Sequence, residues 1–147
     1  TIIAGKSGIL QRDGDIVEPT DDRVTPLLFD VASDNYYIVI KHRNHLSVMT
    51  SSTVSLSTTT ANVDLTTDST TISGGTNALV DMGSGIYAMI SGDFDENGQI
   101  QNIDTNAIIQ LLGVSGYNKA DLDMNGQVQN ADLNNLLNPN VGKGEQF

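Results

Sequence analysis

The segment Asp93-Phe94-Asp95-Glu96-Asn97-Gly98-Gln99-Ile100-Gln101-Asn102-Ile103-Asp104 recurs 28 residues later as Asp121-Leu122-Asp123-Met124-Asn125-Gly126-Gln127-Val128-Gln129-Asn130-Ala131-Asp132. Both copies place oxygen-bearing side chains at positions 1, 3, 5, 9 and 12, glycine at position 6 and a β-branched aliphatic residue at position 8. Upstream, Ile86 to Ile90 reads as a strand running directly into Ser91-Gly92-Asp93, so no helix is expected to enter the first copy. Downstream the hydrophobic period becomes helical, with Ile103, Ala107, Ile108, Leu111 and Leu112 after the first copy and Leu133, Leu136 and Leu137 after the second. Asp104 suits a helix N-terminus, Gly113 a C-cap, and Pro139 a helix stop. The two helices are expected to pack on each other, and residues 140–147 read as a short polar tail.

Alternating oxygen donors followed by a turn glycine are what a hard cation takes from a folded-back loop. Calcium accepts six to eight oxygens at about 2.3–2.6 Å. In the first loop Asp93, Asp95 and Asn97 point inward, Gly98 makes the turn, Gln99 offers its carbonyl, Gln101 acts directly or through water, and Asp104 closes the sphere. The second loop repeats this with Asp121, Asp123, Asn125, Gly126, Gln127, Gln129 and Asp132. Three carboxylates in one loop repel without a cation, so the binding free energy becomes folding free energy. A polar Asp/Asn/Gly turn explains one such loop; two copies with the same residue types favour two bound Ca²⁺. Position 12 is Asp where an EF-hand has a bidentate Glu. The shorter side chain needs a tighter loop or binds through one oxygen, which moves the preference towards Mg²⁺. Ile100 and Val128 at position 8 fit a short β-contact joining the paired loops.

The chain has 147 residues, enough for one domain or two small ones. It is 38% hydrophobic with 5% aromatics and no Trp, so its core is modest, and with no Cys the available staple is metal. The net charge is −11, from 10 acidic against 5 basic side chains in residues 1–92 and 8 against 2 in residues 93–147. That balance excludes nucleic-acid binding, which needs basic patches, and disfavours anionic membrane surfaces. No apolar run approaches the roughly 18–20 residues that span a bilayer. Thr1-Ile2-Ile3-Ala4 lacks the basic start and apolar stretch of a leader. The chain reads as part of a larger exported protein, secreted and extracellular or held at the cell surface.

Residues 1–90 read as all-β. Tyr36 to Lys41, Leu46 to Met49, Val54 to Leu56, Val63 to Leu65, Leu79 to Met82 and Ile86 to Ile90 are expected strands, with shorter ones at Gly8 to Gln11, Ile16-Val17 and Leu27 to Phe29. Turn signals fall at Asp13-Gly14-Asp15, Asp21-Asp22, Ser33-Asp34-Asn35, Gly74-Gly75 and Gly83-Ser84-Gly85. Seven or eight short strands at regular intervals suggest a β-sandwich. The fold class is therefore mainly β with a small α part: an antiparallel sandwich over 1–90 and a pair of loop-helix units over 91–147. More than half of residues 47–76 are Ser or Thr, which suits solvent-facing strands or O-glycosylation. His42 and His45 lack the further ligands zinc needs and read as a hydrogen-bonded corner. Ala4-Gly5-Lys6-Ser7 matches the end of a phosphate loop without its context. No Ser/His/Asp arrangement is readable, and the chain is expected not to be an enzyme.

The duplicated loop with only an exiting helix, closed by Asp, resembles the type I dockerin module over residues 91–138. That resemblance implies two calcium ions and docking to a cohesin-like or other cell-surface receptor, as in anchoring of secreted polysaccharide-degrading enzymes. It places recognition at loop positions 10 and 11, here Asn102, Ile103, Asn130 and Ala131. Leu10 to Val17 and Tyr36 to Leu46 carry a resemblance to the transthyretin-like or carboxypeptidase-regulatory-like sandwich, which implies a fold and no activity. Phe94 and Leu122 at position 2 are candidates for docking the loops onto the sandwich. A purely structural adhesin segment, or carbohydrate binding by the sandwich, stands as the alternative; four Tyr and no Trp disfavour stacking on sugars.

Overall fold

A strand ends where side-chain acceptors capture its backbone donors, and this chain supplies such acceptors often. The computed structural model describes residues 1–11, 13–20 and 24–147; Arg12 and the turn expected at Asp21-Asp22 lie outside the described residues. The architecture is mainly β, in small antiparallel sheets with few helices. The described residues form eight strands, β1 (Ile9–Leu10), β2 (Ile16–Val17), β3 (Asp34–Tyr36), β4 (Val39–His42), β5 (His45–Met49), β6 (Val54–Leu56), β7 (Leu79–Gly83) and β8 (Ile86–Met89). They pair as β1-β2, β3-β6, β4-β5 and β7-β8. None of the described ladders is wider than two strands, whereas a sandwich needs two facing sheets.

The chain divides into two compact units: residues 1–36 with 55–62, and residues 37–54 with 63–147. In the first, β1 and β2 form a hairpin in which Ile9 faces Val17. Gly14, at φ 97°, makes the turn, and the Asp15 N–H donates to Asp13 Oδ1 at 3.3 Å. The strand expected at Leu27 to Phe29 is absent. The Leu28 N–H donates to Glu18 Oε1 at 2.9 Å, and the Leu28 carbonyl accepts from the Lys6 ammonium at 2.8 Å. Lys6 also ion-pairs with Glu18. Pro26 pairs with Val17 only as an isolated bridge. Side chains thus occupy the backbone groups a ladder would need, and Lys6 has a structural partner in place of a phosphate.

In the second unit β4 and β5 join through Arg43-Asn44, with Ile40 facing Val48. β7 and β8 turn at Ser84-Gly85, both left-handed (φ 56° and 76°), as a two-residue hairpin turn requires. The ends of β5 and β8 meet: the Leu46 N–H donates to the Ile90 carbonyl at 2.8 Å. The strand expected at Val63 to Leu65 is absent because Asp64 bends the chain. Its Oδ1 accepts the Thr66 N–H at 2.8 Å and its Oδ2 the Thr67 hydroxyl at 2.5 Å. Those bonds, the Thr67 hydroxyl foremost, hold the Asp64 carboxyl down to about 2. Val48, Ile72, Ala78 and Leu79 form one core cluster. Leu46, Ile90, Ile100, Ile108, Ala120, Leu122, Val128 and Leu137 form the other, with Phe94 packed against it. Leu122 and Phe94 therefore share a core with Leu46 and Ile90, and residues 37–54 and 63–90 share a unit with 91–147.

The helices after the two loops differ by one residue. The first is α1 (Asn102–Ile109), whose cap N–H at Gln110 returns to the Asn106 carbonyl. The second is a π-helix (Asp132–Leu137), whose cap N–H at Asn138 returns five residues to Leu133. A 3₁₀ turn follows at Asn138–Asn140, with Pro139 inside it. The left-handed glycines beyond, Gly113 (φ 91°) and Gly142 (φ 94°), accordingly stand 29 residues apart where the loops stand 28 apart. The extra residue moves the buried position from Leu136 to Leu137, the counterpart of Ile108; both Leu137 and Ile108 are fully buried. Leu137→Ala is expected to cost about 3 kcal/mol and Leu136→Ala about half that, by urea denaturation in calcium. The reverse order would contradict the shifted register.

Candidate metal centre

The two loops fold alike, bond for bond. In the first, the Asp93 carboxylate accepts the Asn97 and Gly98 N–H groups, each at 3.1 Å. Asp104 Oδ1 accepts the N–H groups of Phe94 (2.8 Å) and Asp95 (3.2 Å), and its Oδ2 that of Gln101 (2.7 Å). In the second, Asp121 accepts from Asn125 (3.1 Å) and Gly126 (2.8 Å). Asp132 accepts from Leu122 (2.7 Å), Asp123 (3.1 Å) and Gln129 (2.8 Å). Gly98 and Gly126 take the left-handed turn (φ 82° and 90°). So do Glu96 and Met124 at position 4 (φ 62° and 59°), a conformation unusual for non-glycine residues.

These bonds gather Asp93, Asp95 and Asp104 so that one carboxylate oxygen from each lies within 4.8 Å of the others, and Asp121, Asp123 and Asp132 likewise. The first and third members of each triad are buried and the second is exposed. Asn97 and Asn125 stand beside the triads, donating to Asp95 Oδ2 (3.0 Å) and Asp123 Oδ2 (2.8 Å). The Gln101 and Gln129 amides reach back to the Gln99 and Gln127 side chains, at 2.6 and 3.0 Å. Of the recognition candidates, Asn102, Ile103 and Asn130 are exposed and Ala131 is half-buried.

Burial raises the Asp93 carboxyl above its ordinary 3.8; the neighbouring Asp104 and Asp95 charges push the same way, while the Gly98 and Asn97 N–H groups oppose. Among the described residues two ion pairs are present, Lys6 with Glu18 and Lys119 with Glu96. Neither neutralises a triad. Each triad thus gathers three carboxylates with oxygen ligands only, which fits a hard divalent cation and not a soft or nitrogen-seeking one.

The β-contact expected between Ile100 and Val128 is not made. Each pairs with the segment beyond the other loop's helix. The Val128 N–H donates to Val114 and the Gly113 N–H to Val128, both at 2.8 Å. The Ile100 N–H donates to Lys143 at 2.9 Å and the Gly142 N–H to Ile100 at 2.8 Å. Residues 142–145, expected to be tail, are therefore a strap across the first loop.

Asn44 is a second residue that loop spacing could not reveal. It is fully buried; its carbonyl accepts the Gly92 N–H at 2.8 Å and its Nδ2 donates to the Lys119 carbonyl at 2.8 Å. The β4–β5 corner thus reaches the residues preceding both loops. His45 Nδ1 lies 2.7 Å from Asn44 Oδ1 and 2.8 Å from His42 Nδ1. With Asn44 Nδ2 committed to Lys119, His45 Nδ1 is the donor to Oδ1. Burial first, then the charges of His42 and Arg43, push His45 down to about 4, so the His45 ring is neutral at pH 7.

No family model matches the chain, and neither the curated proteins nor the solved structures contain a match.

Proposed function

We propose that this chain is a non-catalytic, calcium-binding structural and docking module of a larger secreted or cell-surface bacterial protein, with one Ca²⁺ in each loop. One observation carries the reading: two three-carboxylate clusters of the same geometry, neither ion-paired with a basic side chain among the described residues. In this reading Asp93, Asp95, Asn97, Gln99, Gln101 and Asp104 hold the first ion, and Asp121, Asp123, Asn125, Gln127, Gln129 and Asp132 the second. The ions offset the repulsion within each triad and stabilise the surrounding fold. Metal-stripped and calcium-loaded protein must then melt at different temperatures; identical melting would overturn the proposal.

The docking half of the proposal has separate support. Ile103, an apolar residue in the first turn of α1, is 57% exposed beside Asn102. The dockerin-like reading assigns this position, with Asn130 and Ala131, to a cohesin-like receptor. The calcium-loaded chain should retain a receptor domain from the parent cell envelope, and Ile103→Asp should release it. Equal capture by stripped chain and by the variant would leave the structural, adhesin-like role alone. The sandwich reading of residues 1–90 draws on their run of short strands; ladders only two strands wide pull against it.

A further inference from the structure

The two loops differ in what covers them. Loop 2 is covered locally: Gly113 to Gly116 lie only a few residues before it, and the Gly116 N–H donates to the Gly126 carbonyl at 2.8 Å. Loop 1 is covered from far along the chain, by Gly142 to Glu145, with the Glu145 N–H donating to the Gly98 carbonyl at 2.9 Å. Closing a longer span costs more chain entropy, so this cover needs anchoring. The anchors are present. Glu145 Oε1 accepts the Ser47 N–H of β5 at 3.2 Å, and the Gln146 carbonyl accepts the Ser73 hydroxyl at 2.9 Å. Asn140, buried, donates to the Ser91 carbonyl at 2.9 Å and accepts from the Lys143 ammonium at 2.9 Å. A Cβ built on Gly98 would lie 3.1 Å from the Glu145 carboxylate, so the strap's side chain stands close over the glycine turn of loop 1.

Resting on the calcium reading of the loops, we infer that Gly142 to Glu145 are positioning residues for the first ion alone, fixing Gly98 to Ile100 against β5. Occupancy of loop 1 then reports whether the distant strap is seated on the β4–β5 hairpin, while loop 2, which the hairpin meets through Asn44 and not through the strap, fills independently of the strap. The strap is thereby a coupling device between the hairpin and one metal site.

The test is calorimetric calcium titration of the whole chain in two backgrounds. Asp121→Ala leaves loop 1 to be read, and Asp93→Ala leaves loop 2. Gly142→Val, which forces a branched side chain into a left-handed position, and the milder Glu145→Ala should each weaken loop 1 by about 10–100-fold, as loss of outer-shell support does. Loop 2 should stay within about twofold. Gly116→Val, at φ 95°, should show the reverse preference. Equal weakening of both loops, or an unchanged loop 1, overturns the inference. Failure of either background to bind calcium overturns the metal reading itself, and the inference with it.

Discussion

Removing divalent cations with EDTA is expected to lower the melting temperature of this protein by about 10–20 °C relative to protein in excess calcium. A ligand held at 100 times its dissociation constant stabilises the folded state by about 2.7 kcal/mol per site, so two sites give about 5 kcal/mol. At this chain length each kcal/mol moves the melting temperature by a few degrees. The effect is specific to divalent ions, because sodium chloride only screens the triads. Magnesium is expected to give a smaller shift even with Asp at position 12, since it demands near-ideal octahedral geometry and dehydrates reluctantly. The calcium effect also shrinks in acid. The Asp93 carboxyl is raised in the metal-free fold. A raised carboxyl contributes stability below the ordinary value of 3.8 and loses it as pH rises through the folded value. Stripped protein is therefore least relieved of its charge at neutral pH, where calcium gains most. Differential scanning fluorimetry of protein stripped with EDTA at pH 7 and then desalted, at pH 7 and pH 4 with added calcium, magnesium, sodium chloride or none, checks all three statements. Superimposable curves at pH 7 would remove the metal from the account.

The loops were legible because their information is local. Twelve residues determine which oxygens converge, and the repeat doubles the signal, so the Asp triads sit where spacing places them. The strands were legible as short alternating runs for the same reason. Partnership was not. Nothing in Gly98-Gln99-Ile100 says that it pairs with Lys143 rather than with Val128; in both loops the partner is the segment that follows the other loop's helix, a tertiary return the twelve residues do not encode. Val63 to Leu65 alternates like a strand, yet Asp64 between them accepts four donors from Thr66 and Thr67 and bends the backbone away from a ladder. Leu28 fails as a strand residue because Glu18 and Lys6, distant in sequence, take both its backbone groups. A buried Asn44 joining a hairpin corner to Gly92 and Lys119 is likewise a tertiary fact, invisible in a four-residue polar turn.

Within each triad the members do different work, and substitutions in EDTA separate them. Asp104 is fully buried and accepts three backbone N–H groups, from Phe94, Asp95 and Gln101. Its removal orphans donors whose desolvation costs about 1–3 kcal/mol apiece when buried, although Asp95 itself is exposed and recovers water. Asp104→Ala is thus expected to cost about 3 kcal/mol even without metal, and to abolish calcium binding in the first loop. Asp95 is exposed and adds a third negative charge to the cluster. Asp95→Ala in EDTA relieves repulsion while giving up bonds to Asn97 at 3.0–3.2 Å, so its net effect is within about 0.5 kcal/mol of zero. In saturating calcium the same substitution loses the first ion's contribution, about 2.7 kcal/mol at 100 times the dissociation constant. Asp132→Ala and Asp123→Ala repeat the contrast in the second loop, where Asp132 holds the Leu122, Asp123 and Gln129 N–H groups. Urea denaturation of the four variants with and without calcium decides it. If Asp104→Ala and Asp95→Ala cost the same in EDTA, the last carboxylate organises nothing by itself and the loop's shape comes from the ion alone.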